Sequence, residues 1–258
     1  MNAPTDLPFM RVAAALDAYR RNLASATRWA DPSWSAALLG ADAVQLESWR
    51  MALERANSAA VESCSHALAD AAAVKLPAFA SLTHSALKPT PSGAAQPNAV
   101  LLDVLPVRHA LQVLRMRALS FRRAEARRLI DKRTRSQLSE WTGVGVDRLT
   151  QDAHLADAPD IARLAARAAM PPLTALDAGT LAVEGCALLL RDLGHVNGAN
   201  GAGDSARVPF PLLRLALPRV LPTPAWLASV PDSIDAAGSA RLFARLSDLL
   251  PEFAWLFG

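Results

Sequence analysis

The stretch that decides the reading is "LSFRRAEARRLIDKRTRSQL", Leu119 to Leu138. It carries Arg122, Arg123, Arg127, Arg128, Lys132, Arg133 and Arg135 against only Glu125 and Asp131. Such a density of cations fits a nucleic-acid helix, a membrane-surface helix or a structural helix rich in arginine. A helical wheel separates them. At about 100° per residue, with Leu114 at zero, Leu111, Ala118, Phe121 and Leu129 lie within about 60° of it and form the apolar stripe. On the same wheel Arg122 lies near ~80°, Arg123 near ~180°, Arg127 near ~220°, Arg128 near ~320°, Lys132 near ~0° and Arg135 near ~300°. The charges surround the axis. A helix that reads a duplex or lies on a membrane segregates them to one face, and aromatic interleaving for single strands is confined to Phe121.

Lys132 on the apolar stripe also predicts that one straight helix does not run through it. A break near "DKRT", with Thr134 capping a new helix into "RSQLSEW", removes the conflict. The cations then belong to two short elements, and some arginines can pair with carboxylates from the C-terminal region. The cluster has three readings: a solvated and salt-bridged face, a docking surface for an acidic protein, or contact with nucleic acid or lipid.

The charge map supports a local feature over a global one. The net charge of the 258 residues is +3. Residues 1–102 carry 8 basic and 8 acidic groups, 103–150 carry 11 and 5, and 151–258 carry 8 and 11, so the basic excess sits in the middle block. At 52% hydrophobic, the chain can bury a substantial core and is not a disordered protein. Alanine and leucine dominate and apolar residues recur at spacings of three and four, so the expected fold is all-α, a multi-helix bundle.

Outward from the basic stretch, helices are expected over 8–30, with Met10, Ala14, Leu16, Tyr19 and Leu23 inward, over about 32–40 behind the start signal "DPSW", and over 42–72 with Asp42 as cap. Further helices are expected over 104–120, 157–169, 173–193 and the C-terminal leucine-spaced segment, where Ser239 is a possible cap. "TGVG", Thr142 to Gly145, ends the basic helix. "KPTPSGAAQPN" marks a linker at 88–98, between an N-terminal helical region at 1–87 and a main domain at 99–258. A flexible Gly/Asn loop is expected at 194–206, and a proline-punctuated extended segment at 207–226.

Catalytic patterns are weak. Gly203-Asp204-Ser205 echoes a glycine-flanked nucleophile but lacks the rigid turn, base and orienting carboxylate. The glycines at 194, 198, 201 and 203 follow no strand and precede no Gly-Lys-Ser/Thr. The five histidines, His66, His84, His109, His154 and His195, show no HExxH or Cys/His spacing, and Cys64 and Cys186 read as reduced thiols. Expected cofactors and metals are therefore none. No basic leader precedes an apolar run, and no apolar run approaches the roughly 20 residues of a bilayer span, so a cytoplasmic protein without membrane insertion is expected. Of six tryptophans, Trp29, Trp34, Trp49 and Trp141 read as core. Trp255 and Phe257, in "PEFAWLFG", either dock the terminus onto the core or face a partner.

The order "ALQVLRMRALSFRRAEARRLIDKRTRSQLSEWTGVGVDRL", then "FPLLRLALPR", then "LFARLSDLLPEFAWLF", resembles the K-type accessory proteins of bacterial type III secretion (the YscK, OrgA and MxiK group), closest to the Hrp branch of plant-associated and related bacteria. The similarity runs from about residue 105 to the end, with "ADPSW" near the N-terminus similar to that branch. The resemblance implies a helical, non-enzymatic adaptor of the cytoplasmic sorting platform. It would link the cytoplasmic domain of the inner-membrane ring (D-type) protein to the pod (Q-type) protein, and through it to the stator (L-type) protein and ATPase, with no nucleic acid partner. Arg122, Arg123, Arg127, Arg128, Trp255 and Phe257 are the candidate partner-binding residues. The alternative class is a basic helical nucleic-acid-binding or regulatory protein; a third is an enzyme whose site assembles from distant residues.

Overall fold

The computed structural model describes residues 8–89, 95–150, 159–194 and 208–258. The expected mainly α-helical fold is found: among these residues are fifteen α-helical segments and one two-stranded antiparallel sheet. The chain divides into two compact units, each assembled from separate stretches. The expected loop at 194–206, the Gly203-Asp204-Ser205 echo, His154 and His195 lie outside the described residues, apart from Gly194.

The first unit comprises residues 1–110, 198–220 and 246–258. Helix α1 (Pro8–Ala24) and α2 (Ala26–Trp29) interrupt at Ser25 what the spacing joins into one helix. The buried side of α1 is Val12, Ala15 and Tyr19, whereas Met10 is 65% exposed and Ala14 faces solvent. The expected stripe is thus correct at Tyr19 and displaced at its N-terminal end. Helix α3 (Pro32–Leu39) starts as "DPSW" predicts, with the Asp31 carboxylate accepting the Ser33 N–H and Pro at the first turn. Asp42 caps α4 (Ala43–Arg55) in a capping box with Gln45. The long helix expected over 42–72 is two, because Ala56 is extended and Asn57 caps α5 (Ser58–Ala71) anew.

After α6 (Phe79–Leu82), the expected linker contains strands β1 (Leu87–Pro89) and β2 (Ala95–Pro97), paired with Lys88 opposite Gln96. Tyr19, Ala26, Trp34 and Leu68 pack with Leu212 and Leu215, so the proline-rich segment 208–220 closes this core. The Trp34 indole N–H donates to the Leu217 carbonyl at 2.9 Å. Prolines exclude an α-helix there, as expected, but the segment is not wholly extended: a 3-10 turn forms at Leu213–Ala216.

Asp103 clasps that turn. It ends the 3-10 turn Ala99–Asp103, and its carboxylate accepts the Leu213 N–H at 2.7 Å and the Leu212 N–H at 3.2 Å. Burial pushes this carboxyl up to about 7, against the two backbone hydrogen bonds that hold it down.

The second unit comprises residues 111–197 and 221–245. Helix α7 (Val107–Phe121) enters it, followed by α8 (Arg123–Arg128), α9 (Lys132–Thr142), α10 (Val146–Thr150), α11 (Ile161–Ala168) and α12 (Ala178–Asp192). Helix α12 is buried over Leu181–Leu190. It approaches α7 so closely that a Cβ on Gly185 would stand 1.8 Å from the Leu114 carbonyl oxygen, so only glycine fits. Phe121, Met170, Leu188, Trp226, Leu227 and Val230 form the core, with Ile161 and Leu164 of α11 against it. Trp226 and Leu227 sit on another 3-10 turn, Ala225–Ser229. Helix α13 (Gly238–Ala244) closes this unit, while α14 (Leu246–Leu249) and α15 (Ala254–Phe257) belong to the first. Ser239 does not cap α13 as expected; it lies within the first turn and its hydroxyl donates to Asp192.

Candidate functional site

The quoted stretch breaks twice. The α-helix stops at Phe121, restarts at Arg123, stops again at Arg128, and restarts at Lys132. The break before Lys132 is the one the wheel requires. Its cap is Asp131 rather than Thr134: the Asp131 carboxylate accepts the Arg133 N–H at 3.2 Å, the Thr134 N–H at 2.9 Å and the Thr134 hydroxyl. These bonds, the Thr134 hydroxyl first, hold the Asp131 carboxyl below the usual carboxylate range.

The two breaks sort the cations into an inner and an outer set. Arg122 is wholly buried. Its Nη2 and Nε meet Glu184 Oε1 and Oε2 at 2.8 and 2.9 Å, while Nη1 reaches Glu125 at 3.1 Å and the Pro171 carbonyl at 2.8 Å. Its guanidinium carbon lies 5.8 Å from the centre of the Trp226 ring. Arg123 is also buried, donating to Asp235 Oδ1 at 3.0 Å.

Arg117, one face of α7 away, donates to Asp235 at 2.8 Å, Asp192 at 2.9 Å and the Ser239 hydroxyl at 2.8 Å. Arg241 joins the same Asp235 carboxylate. Asp235 therefore gathers three arginines while its own backbone is left-handed at φ 56°. A Cβ on Gly238 would come within 2.4 Å of that carboxylate and 2.5 Å of the Arg117 guanidinium.

Such buried pairs add little net stability, because desolvation offsets most of the attraction. They bear out the expectation that arginines of the stretch pair with C-terminal carboxylates. They also correct the site: Arg122 and Arg123 are interior ties, without surface to offer a partner.

The outer set forms a crest. Arg127, Arg128, Lys132 and Arg133 are exposed around Ile130, which is 92% exposed. Arg127 donates to the Thr150 carbonyl, and Arg135, half-buried, reaches Asp147 at 2.7 Å. Arg128 also lines an open cleft of about 780 Å³ with Ala124, Ile161, Ala165, Met170 and Pro171.

The terminal aromatics divide as well. Trp255 is 40% exposed, whereas Phe257 is core at 4%, its carbonyl accepting the Ala86 N–H at 3.3 Å. Arg11 secures the segment through the Leu256 and Gly258 carbonyls at 2.6 and 3.1 Å.

Of the other expected residues, Trp34 is core, Trp29, Trp49 and Trp141 are half-buried, Cys186 is buried and Cys64 half-buried. Sequence reasoning missed Arg117, Asp192, Asp235 and Glu184. A signal existed for two of them. Glu184 is the one charge within the apolar run Leu181–Leu190, and Arg117 falls about 60° from Leu114 on the wheel, at the edge of the apolar stripe. Among the described residues, no group of three or more His, Cys, Asp or Glu could hold a metal ion, and no helix is long and apolar enough to cross a membrane.

Against known proteins, a family model described as bacterial type III secretion protein (HrpB4) matches residues 8–252. No curated protein and no solved structure matches the chain. The match runs through both units and includes the buried arginine ties, the crest and the proline-rich clasp. The chain belongs to the bacterial type III secretion protein (HrpB4) family.

Proposed function

We propose that the protein is a non-enzymatic adaptor of the type III secretion sorting platform. It holds the pod (Q-type) protein and the cytoplasmic domain of the inner-membrane ring (D-type) protein together, and through the pod protein supports the stator (L-type) protein and the ATPase. It works at the cytoplasmic face of the inner membrane. The observation that carries this reading is the family match over residues 8–252. It is supported by the way the arginines are used: Arg117, Arg122 and Arg123 are spent on internal ties to Asp192, Asp235 and Glu184, and Arg127, Arg128, Lys132 and Arg133 are left exposed as a basic crest suited to protein docking. Apolar anchors such as Ile130 and Trp255 supply affinity in such an adaptor, and cations supply orientation.

The test is co-purification. The tagged full chain is incubated with purified pod protein and ring cytoplasmic domain from the same secretion system, separately and together. Retention of both at once is expected. Retention of neither overturns the adaptor reading.

A further inference from the structure

From the crest at the α8–α9 break we infer a docking surface for an acidic protein face that offers an apolar recess, with Ile130 as the inserted side chain and Arg128, Lys132 and Arg133 as its charged rim. This rests on the adaptor reading and specifies one of its contacts.

Ile130 is the most exposed of the large hydrophobic side chains among the described residues, at 92%. Leaving one isoleucine in water forfeits about 2 kcal/mol of burial, so its place in the break between α8 and α9 suits a group that is covered by something else. Around it the charge is one-sided. Residues 127–133 read "RRLIDKR", four cations and one carboxylate, a local net charge equal to that of the entire chain. Asp131 offsets one of the four cations while capping the start of α9 through three hydrogen bonds, and the rim keeps a net positive charge. No ion pair among the described residues engages Arg128, Lys132 or Arg133, in contrast to Arg117, Arg122 and Arg123 a few residues earlier. A single aliphatic tip within a cationic ring fits a carboxylate-lined recess: insertion supplies dry contact, and the surrounding charge pairs form at the rim.

Size points the same way. A specific interface takes on the order of 20 residues a side, more than the crest holds. The cleft that shares Arg128 extends the crest with apolar wall from Ala124, Ile161, Ala165 and Met170, and its two carboxylates, Glu125 and Asp160, accept hydrogen bonds from Arg122 and from the Arg163 N–H. Crest and cleft together approach that scale. A lipid surface would gain little from one isoleucine, and a duplex would gain nothing from it, whereas a protein recess uses both the tip and the ring.

The test measures binding of the full chain to purified pod protein and to the ring cytoplasmic domain. Two variants are compared with wild type, Ile130→Asp and the charge reversal Arg128→Glu/Lys132→Glu/Arg133→Glu. Circular dichroism and melting temperature confirm that each is folded, as expected for exposed side chains. For one of the two partners the affinity should fall about tenfold or more in Ile130→Asp and about a hundredfold in the charge reversal, and wild-type affinity should weaken as salt rises. Wild-type binding that both folded variants retain equally overturns this surface and leaves the adaptor standing. Wild-type chain that binds neither protein overturns the adaptor and this surface with it. Crest-dependent binding to phosphatidylglycerol vesicles or duplex DNA, with no crest-dependent protein binding, also overturns the inference.

Discussion

Arg122 and Glu184 meet fork to fork, Nη2 on Oε1 at 2.8 Å and Nε on Oε2 at 2.9 Å, with the arginine wholly excluded from solvent. Replacing Glu184 by Ala takes away the buried guanidinium's two-pronged partner and leaves it Glu125 and the Pro171 carbonyl, and a loss of about 3 kcal/mol in unfolding free energy is expected from urea titration. The double replacement Arg122→Met/Glu184→Leu removes both charges and should recover most of that loss. A double variant as unstable as Glu184→Ala alone would show that the pair contributes more than the repair of its own desolvation.

Asp235 holds Arg117, Arg123 and Arg241 from a left-handed backbone position. Asp235→Ala should lower stability by about 3–5 kcal/mol. Gly238→Ala is expected to cost roughly 1–3 kcal/mol, since the new methyl collides with the same carboxylate and with Arg117. Thermal unfolding with matched circular dichroism distinguishes these losses from unfolding of the resting state.

The buried Asp103 carboxyl gives the first unit a pH dependence. Its folded pKa, about 7, stands above its ordinary value of 3.8. Between these values the folded state retains a proton that the unfolded chain has released, so this group's contribution to stability falls as pH rises from about 4 to about 7 and is level above that. Asp131 and Asp177 are shifted down, so their contribution is present above their ordinary value and is lost in more acidic solution. Chemical denaturation at pH 4.5, 6 and 7.5 should show the decline in wild type, and Asp103→Asn should flatten it.

Asp31 caps α3 through the Ser33 N–H, at 2.9 Å, and its own N–H donates to the Leu215 carbonyl at 2.7 Å. Asp31→Ala removes the side-chain cap and keeps the backbone bond, so a loss of about 1 kcal/mol is expected in equilibrium unfolding. Asp31→Asn should recover most of it, because the amide oxygen still accepts the same hydrogen bond.

Local chemistry was legible in the sequence. The "DPSW" start, the Asp42 cap, the end of α9 at "TGVG" and the break before Lys132 rest on side chains that act within one turn of their own backbone. Errors arose where two nearby residues offered the same service. Thr134 and Asp131 both reach the first turn of α9, and the carboxylate takes it. The inward side of α1 was displaced for a similar reason, since Met10 and Ala14 form a stripe as regular as Val12, Ala15 and Tyr19. The paired strands Leu87–Pro89 and Ala95–Pro97 were invisible because their residues are those of a loop and only the pairing makes them strands.

The partition of the arginines was out of reach for a stronger reason. A wheel assumes one continuous helix, and the helix stops after Phe121, which rotates α8 and α9 out of its phase. The carboxylates that draw Arg122 and Arg123 inward are 62 and 112 residues away. Of the candidate partner-binding residues, Arg127, Arg128 and Trp255 are exposed, whereas Arg122, Arg123 and Phe257 are interior.

Arginines only a few positions apart thus answer to different constraints. Arg122 and Arg123 are fixed by carboxylates of their own chain, so a change at either needs a compensating change elsewhere in the same gene. Arg128, Lys132 and Arg133 answer to whatever they meet outside, and can drift with it. Among relatives, one run of basic residues should separate into two evolutionary rhythms, inner positions that vary with Glu184 and Asp235, and outer positions that vary from one secretion system to the next.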